Sequence, residues 1–176
     1  MNMRPIALVV ALVALSPSVL AGQSASASSL FEHLTGAWVL RGTIDGKQTT
    51  HDVDADLVLN RGYVRLHEVS REKDASGAPA YEAIVFISVE KRTGEFNCLW
   101  LDNTSSAGLS AAGIARGAPS GNSIPFLFKT GGGEFHTTFI YSPDTDSWRW
   151  VMDGESGGRL QPFARVTLTR RQAERP

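Results

Sequence analysis

The chain has 176 residues, of which 17 are basic, 18 are acidic and one is a cysteine. This near-neutral balance disfavours nucleic acid and anionic membranes as partners, because both attract strongly basic surfaces. The lone cysteine, Cys98, cannot form an internal disulfide, so packing alone has to stabilise the fold.

The first 21 residues have the features of a secretory signal peptide. One positive charge at Arg4 precedes an apolar run at 6–15, and small residues follow this run. The run is shorter than the roughly 20 apolar residues that a helix needs to cross a bilayer. We therefore expect removal of residues 1–21, with residue 27 as the later alternative for cleavage, and an exported protein, periplasmic or secreted, without a membrane anchor.

The remainder is long enough for one domain with a substantial core, and it shows neither an internal repeat nor an interdomain linker. We expect a flexible segment at 22–29, a single domain at 30–171 and a short tail at 172–176. A short amphipathic run at 30–34 precedes the first strand and predicts a helical plug.

After the plug, the segments are short and β-rich, and turn residues separate them at intervals of roughly 8 to 14, which is typical of an antiparallel sandwich or barrel. Turns such as Asp45-Gly46 and Thr93-Gly94 provide the backbone freedom that hairpins require. The predicted fold class is all-β, a single antiparallel up-and-down β-barrel of about ten strands. The predicted strands are 36–45, 47–59, 63–71, 80–90, 95–102, 109–117, 123–130, 134–142, 147–153 and 161–170.

A two-residue turn at Asp45-Gly46 sets the register of the first hairpin. Trp38 then lies opposite Val53, and Leu40 lies opposite His51. The residues that share the apolar face are Trp38, Leu40, Ile44, Val53, Ala55, Leu57 and Leu59. The residues that share the other face are Arg41, Asp52, Asp54 and Asp56. We expect the acidic face in solvent and His51 inside the barrel.

The second hairpin has two possible registers. A two-residue Arg61-Gly62 turn places Val64, Leu66 and Glu68 inside, whereas a three-residue loop at 60–62 places Tyr63, Arg65 and His67 inside. The apolar pair favours the first register. In either register an ionisable side chain, Glu68 or His67, approaches the interior, and it needs a partner there if it is buried.

Aromatic side chains recur at strand spacing in the later strands and exceed what a tight core of this size requires. A closed barrel of ten strands is wider than the eight-stranded kind that already holds one small ligand, so we expect a cavity. A carboxylate and a guanidinium on the inner face would orient the polar head of an otherwise apolar ligand. The predicted ligand-binding residues are His51, Glu68, Trp100, Asp102, Arg116, Phe139 and Trp150.

No motif in the sequence commits the chain to catalysis or to a metal. The four histidines lie on separate elements without zinc-type spacing, and Asp52-x-Asp54-x-Asp56 lacks the glycine and glutamate of a calcium loop. There is no G-x-S-x-G elbow, and the strand spacing of Cys98 predicts a buried apolar role. We therefore predict no catalytic residue, no metal and no cofactor.

Several of these residues resemble a known family. Gly36-x-Trp38 after a short plug is similar to the entry motif of lipocalins and other calycins, in which a basic residue of the last strand, here Arg165 or Arg170, closes over the tryptophan. Together with Trp100-x-Asp102, these features resemble a family of bacterial exported lipocalin-like proteins of unknown function, similar to ten-stranded nitrobindin-like barrels. Haem-binding nitrobindins carry a proximal histidine near the C-terminal strands, and this chain has none there.

Three functions are compatible with the sequence. The first is binding of a small hydrophobic or amphipathic molecule inside the barrel by a monomer or dimer that has no catalytic role. The second is a barrel enzyme of isomerase or cyclase type, with Glu68, Asp102 or His67 as general base. The third is a structural or interaction protein with a filled barrel. An inward carboxylate or histidine paired with a polar group beside a cavity would favour the enzyme.

Overall fold

The computed structural model describes residues 27–105 and 108–172. One helix and ten strands run in chain order: α1 Ala27–His33, β1 Gly36–Ile44, β2 Lys47–Val58, β3 Tyr63–Ser70, β4 Glu82–Val89, β5 Phe96–Asp102, β6 Ile114–Gly117, β7 Ser123–Thr130, β8 Gly133–Ser142, β9 Ser147–Ser156 and β10 Arg159–Arg170. The predicted signal peptide, 1–21, lies outside the described residues. The first turn of α1 falls within the segment predicted as a linker, 22–29.

Each strand pairs antiparallel with its neighbour in the chain, and β1 pairs with β10 to close the barrel. The predicted fold class, an up-and-down barrel of ten strands with a short N-terminal helix, is confirmed. The connections alternate between two ends. The plugged end carries α1 and the connections at 59–62, 90–95, 118–122 and 143–146. The open end carries those at 45–46, 71–81, 103–113, 131–132 and 157–158.

The helix closes one end because its apolar residues enter the barrel and its backbone accepts hydrogen bonds from two buried indoles. Leu30 and Leu34 are fully buried. The Nε1 of Trp38 donates to the Leu34 carbonyl oxygen at 2.9 Å, and the Nε1 of Trp148 donates to the His33 carbonyl oxygen at 3.2 Å. These bonds satisfy both indole donors and anchor the end of the helix, where carbonyl groups lack partners of their own.

The basic residue that closes over the entry tryptophan is Arg170. Its guanidinium carbon lies 3.7 Å from the Trp38 ring centroid, and its Nη1 donates to the Thr35 carbonyl oxygen at 2.6 Å. The alternative, Arg165, bonds to Asp153 on the neighbouring strand instead. Gly36, at φ 127°, leaves room for the guanidinium, since a Cβ there would overlap it. Stacking of the cation on the indole therefore stabilises, at the plugged end, the β1–β10 seam, which is the strand pair that closes the barrel.

The first hairpin has the predicted register, with Trp38 opposite Val53 and Leu40 opposite His51. His51 is 3% exposed and lies inside, as predicted. One member of the predicted apolar face is misplaced: Leu59 is 73% exposed because its positive φ of 49° places it in the following loop.

The second hairpin has the favoured orientation but a longer loop than predicted. Val58 pairs with Tyr63, so four residues, 59–62, form the connection. This length preserves the parity of a two-residue turn, and therefore Val64, Leu66 and Glu68 all face the interior.

The predicted strand 109–117 is mostly not a strand. Only Ile114–Gly117 extends, and a 3-10 turn at Ala111–Gly113 precedes it. The Ser110 hydroxyl caps this turn by accepting a hydrogen bond from the Ala112 amide. The last hairpin is tighter than predicted, because β9 and β10 continue to a two-residue turn at Gly157-Gly158.

Candidate functional site

The interior of the barrel divides into a packed half and a hollow half. Near the plug, the buried core is filled by Trp38, Leu40, Phe139, Trp148, Trp150 and their neighbours. Towards the open end lies a cavity of about 940 Å³. Its aromatic lining comprises Tyr81, Trp100, Phe128, Phe135 and Phe163. Among the residues described, this half of the barrel therefore has the hollow lined by aromatic side chains that the sequence predicts.

Four of the seven predicted ligand-binding residues line this cavity: His51, Glu68, Trp100 and Asp102. Phe139 and Trp150 are fully buried in the core below, where they pack edge to face at 4.5 Å. Trp150 supports the cavity wall because it packs edge to face on Trp100, with the ring centroids 6.4 Å apart.

Arg116 lies on the outer surface, contrary to its predicted inward position. Its strand has only four residues, and Ala115 is the buried member, opposite Cys98 and Phe128. Alternation along the strand therefore turns Arg116 into solvent. The predicted pairing of a guanidinium with an inward carboxylate is wrong for this residue.

The polar centre of the cavity is a contact between His51 and Glu68, on the neighbouring strands β2 and β3. The His51 Nδ1 and Glu68 Oε1 atoms are 2.5 Å apart, and the two residues are 3% and 2% exposed. Each supplies the partner that a buried ionisable group requires. The sequence indicated both residues as inward, and the strand register brings them together.

A hydrogen-bond chain continues from this pair towards the open end. The His51 Nε2 lies 2.8 Å from the Thr49 hydroxyl, and this hydroxyl donates to Glu72 Oε2 at 2.9 Å. Ser70 also donates to Oε2, at 2.7 Å, and the Thr50 amide donates to Oε1. These bonds, the one from Ser70 above all, lower the pKa of Glu72 to about 2, so Glu72 is a carboxylate at neutral pH.

The Glu72 carboxylate determines which group donates and which accepts in each bond of this hydrogen-bond chain. An ionised carboxylate only accepts, so the Thr49 proton points to Glu72, and the Thr49 oxygen must accept from His51 Nε2. The short contact between His51 Nδ1 and Glu68 Oε1 then holds one proton. Whether the proton resides on nitrogen or on oxygen, the His51–Glu68 pair carries no net charge.

This direction limits the chemistry of His51. Both ring nitrogens are engaged, Nε2 as a donor and Nδ1 with Glu68, so neither is free to accept a proton from a ligand or to bind iron or another metal. The arrangement of carboxylate, imidazole and hydroxyl resembles a nucleophile triad in outline. The hydroxyl proton of Thr49 points the wrong way for such a role, since it is donated to Glu72.

Tyr81 is a functional candidate that the sequence analysis missed. Its hydroxyl oxygen accepts from Trp100 Nε1 at 3.0 Å, and its ring stacks on His51 with centroids 5.6 Å apart. Burial, reinforced by the charge of Glu68, raises the pKa of Tyr81, so the hydroxyl stays protonated. Its proton has no acceptor among the residues that the structure describes. The sequence feature that could have identified it is alternation: Tyr81 is two residues before Ala83 and four before Val85, so it shares their inward-facing side of the strand.

The charged side chains around the cavity are mostly acidic. Asp45, Glu72 and Asp102 carry carboxylates. Among the lining residues that the structure describes, Lys47 carries the one ammonium and none is an arginine. Asp102 also caps its own loop, because its Oδ1 accepts from the Thr104 amide and hydroxyl. With the His51–Glu68 pair neutral, the lining has a formal excess of two negative charges.

The remaining candidates lie elsewhere. Cys98 is 2% exposed, and burial raises the pKa of its thiol, in keeping with its predicted apolar role. His67 is on the outer surface and bonds to Glu82. Within 27–105 and 108–172, no group of three or more His, Cys, Asp or Glu side chains is arranged to hold a metal. No helix in the same residues is long and apolar enough to span a membrane.

Comparison with known proteins does not add to this geometry. No protein-family model and no curated protein matches the chain. The structure itself defines the class of protein as a closed antiparallel barrel of ten strands, compatible with a calycin-like fold, with a cluster of aromatic side chains inside.

Proposed function

We propose that this protein binds a small, mostly apolar molecule in the open half of its barrel. The observation that carries the proposal is the cavity of about 940 Å³, a volume within the range of small-molecule sites. Aromatic walls at Trp100 and Phe128 provide apolar contact, while Glu68 and Tyr81 provide a few fixed polar groups. The relationship to exported lipocalin-like proteins, and the periplasmic or secreted location that residues 1–21 predict, belong to the same proposal.

The test is native mass spectrometry of the protein purified from its own compartment. We expect a co-purifying small molecule on the wild type and at least about tenfold less of it on Thr137→Phe, since a core-like site tolerates little added volume. Thr137 is 1% exposed and lines the cavity. Thr138→Phe, the same change at the next position and on the opposite face of the strand, is the control. Repeated recovery of ligand-free wild type, or equal loading of both variants, would contradict carriage.

A second candidate is an enzyme that moves a proton on its bound ligand. It is supported by the buried Glu68 carboxyl, which is paired with His51 beside the cavity and is therefore the arrangement that the sequence analysis gives as favouring an enzyme. Tyr81 is a nearby protonated donor. In such a reaction Glu68 Oε2 would take the proton, while the Tyr81 hydroxyl would stabilise charge on a ligand oxygen. His67 is not available for this role, because it lies outside.

Deuterium incorporation separates the enzyme from the carrier. If Glu68 is a base, the co-purified molecule should exchange a carbon-bound hydrogen in D₂O in the presence of the wild type, and Glu68→Gln should slow the exchange at least about a hundredfold. A ligand that binds both proteins without exchange would indicate a carrier. Mass spectrometry of the released molecule provides the measurement.

A further inference from the structure

The cavity contains an unsatisfied acceptor at its polar centre. Oε1 of Glu68 contacts His51, whereas Oε2 has no hydrogen-bond partner among the described residues. Glu68 is 2% exposed and belongs to the lining of the cavity. Oε2 is not among the atoms that are buried without a partner, so it is open to the cavity, where it can accept a hydrogen bond from a ligand that donates one.

The charges around this acceptor disfavour an anion. The lining has three carboxylates outside the His51–Glu68 pair against the single ammonium of Lys47, and Arg116 points away. A fatty acid or another anionic head group would therefore enter a region of negative potential without a guanidinium to receive it. A positively charged head would gain from the same field.

The aromatic residues of the cavity favour the same sign of charge. Trp100 and Tyr81 line the same cavity as Glu68 and are joined by the hydrogen bond at 3.0 Å, and the Tyr81 ring stacks on His51, the partner of Glu68. Phe128 packs edge to face on Trp100, with ring centroids 6.4 Å apart. Aromatic faces attract cations, and more strongly so when the site is desolvated. A protonated amine combines the two requirements, since it carries positive charge and donates hydrogen bonds.

We propose, on the basis of the proposed binding function, that the ligand is a cationic amphiphile. Its protonated amine donates to Glu68 Oε2 and lies against Trp100 and Tyr81, and its apolar body fills the rest of the cavity. The head group thus selects among apolar molecules of similar size. A chain of eight carbons fits a cavity of about 940 Å³ with room to spare.

The experiment compares three probes of equal chain length, octylamine, octanol and octanoate, by titration calorimetry at pH 7. For the wild type we expect octylamine to bind at least about tenfold more tightly than octanoate, with octanol between them. Glu68→Gln should weaken octylamine binding about tenfold and change octanol binding less than about threefold. Asp56→Asn is the same carboxyl-to-amide change on the outer face, where Asp56 pairs with Arg65, and should change neither.

The outcomes separate this inference from the function on which it rests. Octanoate binding as tightly as octylamine, or octanol binding most tightly, would overturn the cationic ligand while leaving a binding cavity. Absence of binding by all three probes would overturn the binding function itself. The comparison of probes on the wild type stands even if Glu68→Gln fails to fold.

Discussion

Replacing Glu68 with leucine should lower the free energy of unfolding by about 4 kcal/mol, because the change leaves a buried polar partner without its hydrogen bond. The stranded group is His51 Nδ1, in a residue only 3% exposed. Urea unfolding at pH 7 measures the loss. The matched control is Glu82→Leu, which breaks the same kind of pair with His67 where both side chains are over two-fifths exposed, at 47% and 42%. It should cost less than about 1 kcal/mol.

The double variant His51→Phe with Glu68→Leu tests whether the loss comes from the pair or from the individual residues. We expect it to be more stable than Glu68→Leu alone, with a coupling energy of at least about 2 kcal/mol, since removing both partners leaves no unpaired group between them. Thr49 loses its donor in this variant but remains bonded to Glu72. Additive losses would show that the two residues stabilise the barrel independently.

Replacing Gly42 with alanine should destabilise the barrel by at least about 3 kcal/mol through overlap and backbone strain together. Gly42 lies on the closing strand pair, at φ 149°, and a Cβ there would overlap the backbone oxygen of Arg165. The strands cannot separate locally without breaking hydrogen bonds of the β1–β10 seam. Thermal and urea unfolding measure the change.

Gly46→Ala is the control for Gly42→Ala. Gly46 also has a positive φ, 72°, but a Cβ there would meet nothing within 4 Å, because the residue lies in the first hairpin turn. It should cost only about 1 kcal/mol, the conformational penalty by itself. Equal losses at the two glycines would mean that the seam moves apart at little cost, contrary to a rigid closed barrel.

Local patterns were sufficient to predict the number of strands and the register of the first hairpin. Alternation around a two-residue turn determines which side chains face inward, so the positions of Trp38 and His51 followed from parity alone. Glu68 could be identified as inward-facing for the same reason, because the apolar residues Val64 and Leu66 favour the register in which all three share the inner face. These predictions needed only the period of the strand and the turn chemistry.

Other parts of the site depend on information that the sequence does not display. In 109–117 the residues are mostly small, so no apolar alternation separates a strand from a 3-10 turn, and Arg116 was assigned to the wrong face. The hydrogen-bond chain from Glu68 to Glu72 depends on how β2 and β3 align and on the course of the loop at 71–81. Tyr81, at the edge of that loop, gained its role only through contacts with Trp100 and His51.

The chain enters α1 and leaves β10 at the same end of the barrel, since Trp38 and Arg170 face each other across the seam. All five connections at the other end are internal loops. Residues 27 and 172, at which the described chain begins and ends, therefore lie at the plugged end, opposite the cavity. On the proposed binding function, attachment of the protein to a sensor surface through a side chain of the plugged end would leave the cavity accessible to an analyte in a flowing sample.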